Sequence, residues 1–170
     1  MKLNFKIMKR KRQRGNALIE TGLMAPVMFL LLSGVIDFGR AFYYTDLAAS
    51  SARAGAQYGI QSPSNFSNTT GMQVAAYNDA NATCQDANNA TVTCGSATQS
   101  QAQVGPSLPM TVTGSSFCKD SSSGATVACT SANARGYVKV STVITYNLFL
   151  PWPGIPNPLS IGGAAIMRTK

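Results

Sequence analysis

The sequence predicts an α+β fold: one long N-terminal helix, half in a membrane and half outside it, packed on a small antiparallel β-sheet. Three observations predict it. Residues 17–36 form a nearly unbroken apolar run, and residues 41–58 continue in helix-tolerant residues without a proline. Beyond Pro63, short Val/Thr-rich segments are set apart by Gly, Asn, Ser and Pro clusters. All four cysteines lie in that second, polar part of the chain.

The apolar run, Ala17 to Ile36, is twenty residues long. As a helix rising 1.5 Å per residue it spans about 30 Å, the thickness of a bilayer core. Asp37 and Arg40 follow it directly and mark where water begins again, so these two residues are expected to fix the depth of the helix at the membrane interface. Three apart on a helix, they are also close enough for a surface ion pair, worth only about 0.2–0.5 kcal/mol. Pro26 removes one helix hydrogen bond and crowds the carbonyl of Gly22, which predicts either a tolerated kink or a functional bend.

Charge separates this segment from a nucleic-acid signal. The net charge is +8, yet Lys2, Lys6, Lys9, Arg10, Lys11, Arg12 and Arg14 all precede Gly15, and without residues 1–15 the chain is near neutral. A basic block beside an apolar run is the pattern that holds an N-terminus in the cytoplasm. No basic stripe with interleaved aromatics follows Gly15, so no nucleic-acid partner is expected. A cleaved secretory signal would need small residues just after the run. The bulky, charged stretch Asp37-Phe38-Gly39-Arg40-Ala41-Phe42 excludes one there, and the apolar segment is expected to stay attached.

Downstream, Leu47, Ala48, Ser51, Ala52, Gly55, Ala56 and Gly59 place small or apolar groups at three- and four-residue steps. This face is expected to be the packing spine of the outer domain, with Gly59 and Ser62-Pro63 ending the helix. A loop from Ser64 to Gly71 leads into a short helix, Met72 to Ala80, with Val74 and Tyr77 inward. Strands are predicted at residues 91–94, 110–113, 126–129 and 137–149, and a last one at residues 159–167 paired with residues 137–148. The four prolines of Pro151–Pro158 exclude regular structure there. Trp152 within that loop is expected to pack on the domain's own sheet rather than on a partner.

Cys84, Cys94, Cys118 and Cys129 allow three disulfide connectivities. Pairing Cys84 with Cys94 and Cys118 with Cys129 is favoured, because each bridge then closes a short loop. Zinc is disfavoured, since the chain has no Cys-x-x-Cys spacing and no histidine. The same lack of histidine, with carboxylates scattered and no paired nucleophile, argues against an enzyme. No catalytic, cofactor-binding or metal-binding residue and no cofactor is predicted.

The N-terminal constellation carries the functional reading. Gly15 is a small, accessible residue where a peptidase on the cytoplasmic face could cut. Cleavage there would make Asn16 the new N-terminus and put Glu20 one helical turn from its amino group. A carboxylate at the edge of an apolar segment needs a partner or an escape to the headgroups. Glu20 can neutralise the Asn16 amine of a neighbouring subunit during assembly, or it can snorkel, and spacing alone leaves both open.

Gly15-Asn16-Ala17-Leu18-Ile19-Glu20, Met24-Ala25-Pro26, Val35-Ile36-Asp37-Phe38-Gly39-Arg40-Ala41-Phe42, Ala48-Ala49 and Ala52-Arg53-Ala54-Gly55-Ala56-Gln57-Tyr58 together resemble the TadE-like family. These are pseudopilins, or minor pilins, of the tight-adherence (Flp, type IVb) pilus. A Val/Thr strand ending at Tyr146, a proline loop and a strand closing on Ala165-Ile166-Met167-Arg168 extend the resemblance to the C-terminal part.

The resemblance implies a pilin-like α+β fold in three parts: a basic prepilin leader (1–15), a transmembrane and assembly helix (16–40) and an extracytoplasmic domain (41–170). It implies cutting between Gly15 and Asn16 by a prepilin peptidase, and a role in pilus assembly and surface adhesion. It also implies partnership with other pilins and pseudopilins and with the inner-membrane secretion platform and its ATPase. The expected location is the inner membrane, single-pass, with the N-terminus cytoplasmic and the domain outside; entry into the pilus itself is left open. The alternative is an unprocessed, signal-anchored periplasmic or surface envelope protein.

Overall fold

The structure, a computed structural model, describes residues 14–105 and 108–169, with side chains from Leu18 onward in the first helix. Most of the basic leader therefore lies outside the described residues, and Gly15 and Asn16 are described by their backbone alone.

Helix α1 runs without a break from Arg14 to Gln61, 48 residues with Pro26 inside it. Its outer half is the spine that the small-residue pattern predicts. Ala48, Ala52 and Ala56 are fully buried, as is Ser51 between them. Close approach explains the composition. A Cβ on Gly55 would lie 2.7 Å from the Met72 carbonyl oxygen, and one on Gly59 would lie 2.7 Å from the Met72 methyl and 2.9 Å from Val138. Gly59 thus does not end the helix, as its sequence position suggests; its missing side chain makes room for helix α2 and the sheet. The end comes at Gln61, where the Asn65 side-chain amide donates to the Tyr58 carbonyl (3.2 Å), satisfying one of the last free acceptors.

Helix α2 spans Thr69–Asp79 and begins three residues earlier than the sequence reading. The cause is Asn68, whose side-chain oxygen accepts from the Gly71 amide at 2.8 Å and caps the first turn. Tyr77 points inward as expected, but Met72 and Ala76 are its buried companions, whereas Val74 is only half-buried.

Seven strands form one antiparallel sheet among the described residues: β1 (Thr83–Gln85), β2 (Thr91–Val92), β3 (Gln101–Val104), β4 (Leu108–Asp120), β5 (Thr126–Val127), β6 (Ala134–Tyr146) and β7 (Leu159–Arg168). The order is β2-β1-β3-β4-β6-β7, with β5 paired to β4. Strand β6 is central, and its Val138, Val140, Thr142, Ile144 and Tyr146 alternate onto the face covered by the helices. The predicted pairing of the last strand holds, from Tyr137 opposite Arg168 to Tyr146 opposite Leu159. Strands β6 and β7 lie directly on α1: a Cβ on Gly163 would fall 2.5 Å from the Ala48 carbonyl group.

The favoured disulfides are both formed. Cys84–Cys94 ties β1 to the turn after β2 (Cα–Cα 5.2 Å), and Cys118–Cys129 ties β4 to the turn after β5 (Cα–Cα 5.1 Å). Each closes a loop of about ten residues, for which the chain-entropy argument gives about 2–3 kcal/mol per bridge.

Candidate functional site

Two regions of α1 behave oppositely. From Leu18 to Leu32 every residue is exposed, including Leu18 at 75% and Leu23 at 71%. The helix there is apolar on all sides and nothing else in the described chain covers it. A surface helix of a soluble domain would show one polar face. This helix is long and apolar enough to cross a membrane, which suggests a single-pass membrane anchor. Glu20 lies on this bare stretch, exposed, on the same continuous helix as the Gly15 and Asn16 backbone.

Burial begins at Ser33 and Gly34, inside the apolar run, and the proline loop between β6 and β7 reaches Gly34. The Trp152 ring lies against Gly34; a Cβ there would touch it at 3.5 Å. Ser33 turns its hydroxyl back to the Leu30 carbonyl (2.8 Å), so it adds no unmet polar group.

Asp37, one turn further on, is only 2% exposed. Its Oδ1 accepts the Phe149 amide at 2.9 Å, and its Oδ2 accepts the Leu150 amide at 3.3 Å and the Trp152 indole Nε1–H at 3.0 Å. A buried carboxylate is tolerated only with such partners. The same bonds explain why β6 stops at Tyr146, short of the expected Phe149: the next amides are turned toward the helix rather than into the sheet ladder.

Asp37 is therefore turned into the proline loop rather than toward water, and the surface ion pair that its spacing to Arg40 allows is not formed among the described residues. The Arg40 guanidinium lies instead over the Tyr146 ring, 5.5 Å from its centroid. Tyr44 packs on the other side of that junction, its ring 5.3 Å from Tyr146. Burial, aided by the Asp37 charge, pushes the Tyr146 phenol pKa upward. Trp152 does pack within its own chain: its ring lies against α1 at Gly34, and it lines a small cavity with Tyr146 of β6 and Leu159 of β7.

The structure thus joins Asp37 and Arg40 to partners the sequence reading did not assign: Phe149, Leu150, Trp152 and Tyr146. One signal pointed toward them. The chain has a single tryptophan, set among prolines in a stretch from Ser141 to Met167 without a charged residue. The Gly15 and Asn16 backbone and Glu20 lie on the same helix, and Glu20 is far from the Asp37 junction. The four cysteines are engaged with each other in the two bridges, and no thiol is free. Among the described residues no cluster of His, Cys, Asp and Glu could hold a metal.

No curated protein and no solved structure matches the chain. The family model described as TadE-like protein matches residues 15–57, which covers the bare half of α1, Asp37 and Arg40 but not their partners in residues 146–152, and most of the packed spine. It is the family that the sequence resembles, so residues 15–57 are a TadE-like segment, which suggests a Tad pilus-associated protein.

Proposed function

We propose that the chain is a pseudopilin or minor pilin of a tight-adherence pilus, with a structural rather than catalytic role. It is held in the inner membrane by the first half of α1, with its domain outside. A prepilin peptidase cuts between Gly15 and Asn16, and the secretion platform and ATPase then draw the subunit into an assembly with other pilins that supports surface adhesion.

One observation carries this reading. A single uninterrupted helix is bare and apolar along its first half and is the domain's packing spine along its second. Such a rod must be covered by lipid or by the helices of neighbouring subunits, since exposing it to water costs about 25 cal/mol for each Å² of apolar surface. A filament subunit uses both covers in turn, and the TadE-like match falls on this rod. Glu20 then meets the Asn16 amine of the next subunit and sets the axial register, because a carboxylate in that apolar seam is stable only when paired.

Gly15→Ala and Glu20→Ala test the reading in cells that make these pili. Gly15→Ala is expected to leave the subunit uncut and heavier. Glu20→Ala is expected to insert and be cut normally, yet to lower the yield of sheared pili. An unprocessed envelope protein would show neither effect: its size would be unchanged by Gly15→Ala and pili would form as before.

A further inference from the structure

We propose that the proline loop, residues 147–158, is a second membrane-contacting element, seated among the lipid headgroups beside α1 on the domain's side of the bilayer. This rests on the reading of α1 as a membrane anchor.

Height along the helix carries the argument. Trp152 reaches down α1 to Gly34, three residues before Asp37 and so about 4.5 Å deeper into the apolar run. If the helix crosses a bilayer, the loop cannot stand clear of it. The loop's chemistry fits that depth. Leu150-Pro151-Trp152-Pro153-Gly154-Ile155-Pro156-Asn157-Pro158 holds no charge, and its four prolines carry no N–H that would need a partner away from water. The amides of Phe149 and Leu150 and the indole N–H are given to Asp37. Asp37 in turn has no need of water, so the polar boundary can lie above it.

The surface around the junction is apolar as well. Phe149 is 62% exposed, and Phe38 and Phe42 are 54% and 76% exposed on the adjoining turns of α1, followed by Tyr43. Aromatic side chains gather at the headgroup level because they offer a large apolar body, with a polar tip in Tyr and Trp. The loop is continuous with the bare helix surface, and one lipid boundary covers both.

The single tryptophan reports the answer directly. The full-length protein is reconstituted in phosphatidylcholine vesicles, and Trp152 emission is measured with lipids brominated near the top of the acyl chain or near the bilayer centre, and with aqueous iodide. A second protein, Trp152→Phe with Phe29→Trp, reports the depth of the helix. The proposal expects Phe29→Trp to be quenched most by the deep bromines, and Trp152 to be quenched at least twofold more by the shallow bromines than by the deep ones while iodide has little effect. Trp152 open to iodide and untouched by either lipid, with the helix probe quenched, overturns the proposal, leaves the anchor standing and points to a protein neighbour for the loop. Neither probe quenched by lipid overturns the anchor reading and the loop proposal together.

Discussion

The Asp37 carboxylate and the Trp152 indole, 115 residues apart in the chain, meet at 3.0 Å. This bond, with the two loop amides beside it, fastens the C-terminal part of the domain to the helix where the bare segment becomes the packed one. Asp37→Ala leaves three donors without their acceptor. Hydrogen bonds to a charged group are worth about 1.5–3 kcal/mol. The substitution is expected to destabilise the detergent-solubilised protein by about 2–3 kcal/mol in denaturant unfolding and to shift Trp152 emission to longer wavelength. Asp37→Asn, which keeps an acceptor oxygen, is expected to lose less.

The contact between Gly163 and Ala48 sets how closely the sheet lies on the helix. A Cβ at Gly163 would fall 2.5 Å from backbone atoms, which cannot yield as a flexible side chain can. Gly163→Ala is expected to cost at least about 1–3 kcal/mol, the range for overpacked cores. Gly22 has nothing within 4 Å of its would-be Cβ, so Gly22→Ala is expected to leave domain stability unchanged. Thermal unfolding of both variants makes the comparison.

Reduction of the two bridges is expected to lower stability by about 2–3 kcal/mol each, from loop-closure entropy. Replacing Cys118 and Cys129 together by serine is expected to leave Cys84–Cys94 intact. Peptide mapping of the non-reduced protein checks this; a mixed pairing such as Cys94–Cys118 in the parent chain would contradict the fold.

Asp120 gives a pH signature. Its carboxylate accepts from the Ser122 hydroxyl, the Ser122 amide (2.8 Å) and the Ser123 amide (2.9 Å), and these bonds lower its pKa from 3.8 to about 2. A folded pKa below the unfolded one means that the contribution to folding is full above about pH 4 and is lost as pH falls toward 2. A carboxyl NMR titration of the folded protein is expected to show a midpoint near 2, moving up in Ser122→Ala. A midpoint at 3.8 in the parent protein would show that the turn does not hold the charge.

Local pattern carried the sequence reading where the structure is local. The apolar run, the small-residue steps from Leu47 to Gly59 and the Val/Ile/Thr alternation of β6 each follow from a period within one element. The short-loop cysteine pairs follow from separation alone. Strands β1 and β3 and most of β4 had no such signal: Gln101-Ala102-Gln103 and Gly114-Ser115-Ser116 are poor strand formers; the first is held between β1 and the start of β4, and the second pairs because β4 lies along β6. The Asp37 junction was illegible for a related reason. Nothing near Asp37 in sequence names Phe149, Leu150 or Trp152 as its partners, and only the fold brings them together.

The most direct test of the account is the intact mass of the native protein, purified from cells that make pili. It is expected to correspond to a chain that begins at Asn16 and carries both disulfides. A protein that still holds its residues before Gly15, or one that has lost the apolar helix through a cut beyond Ile36, would contradict it.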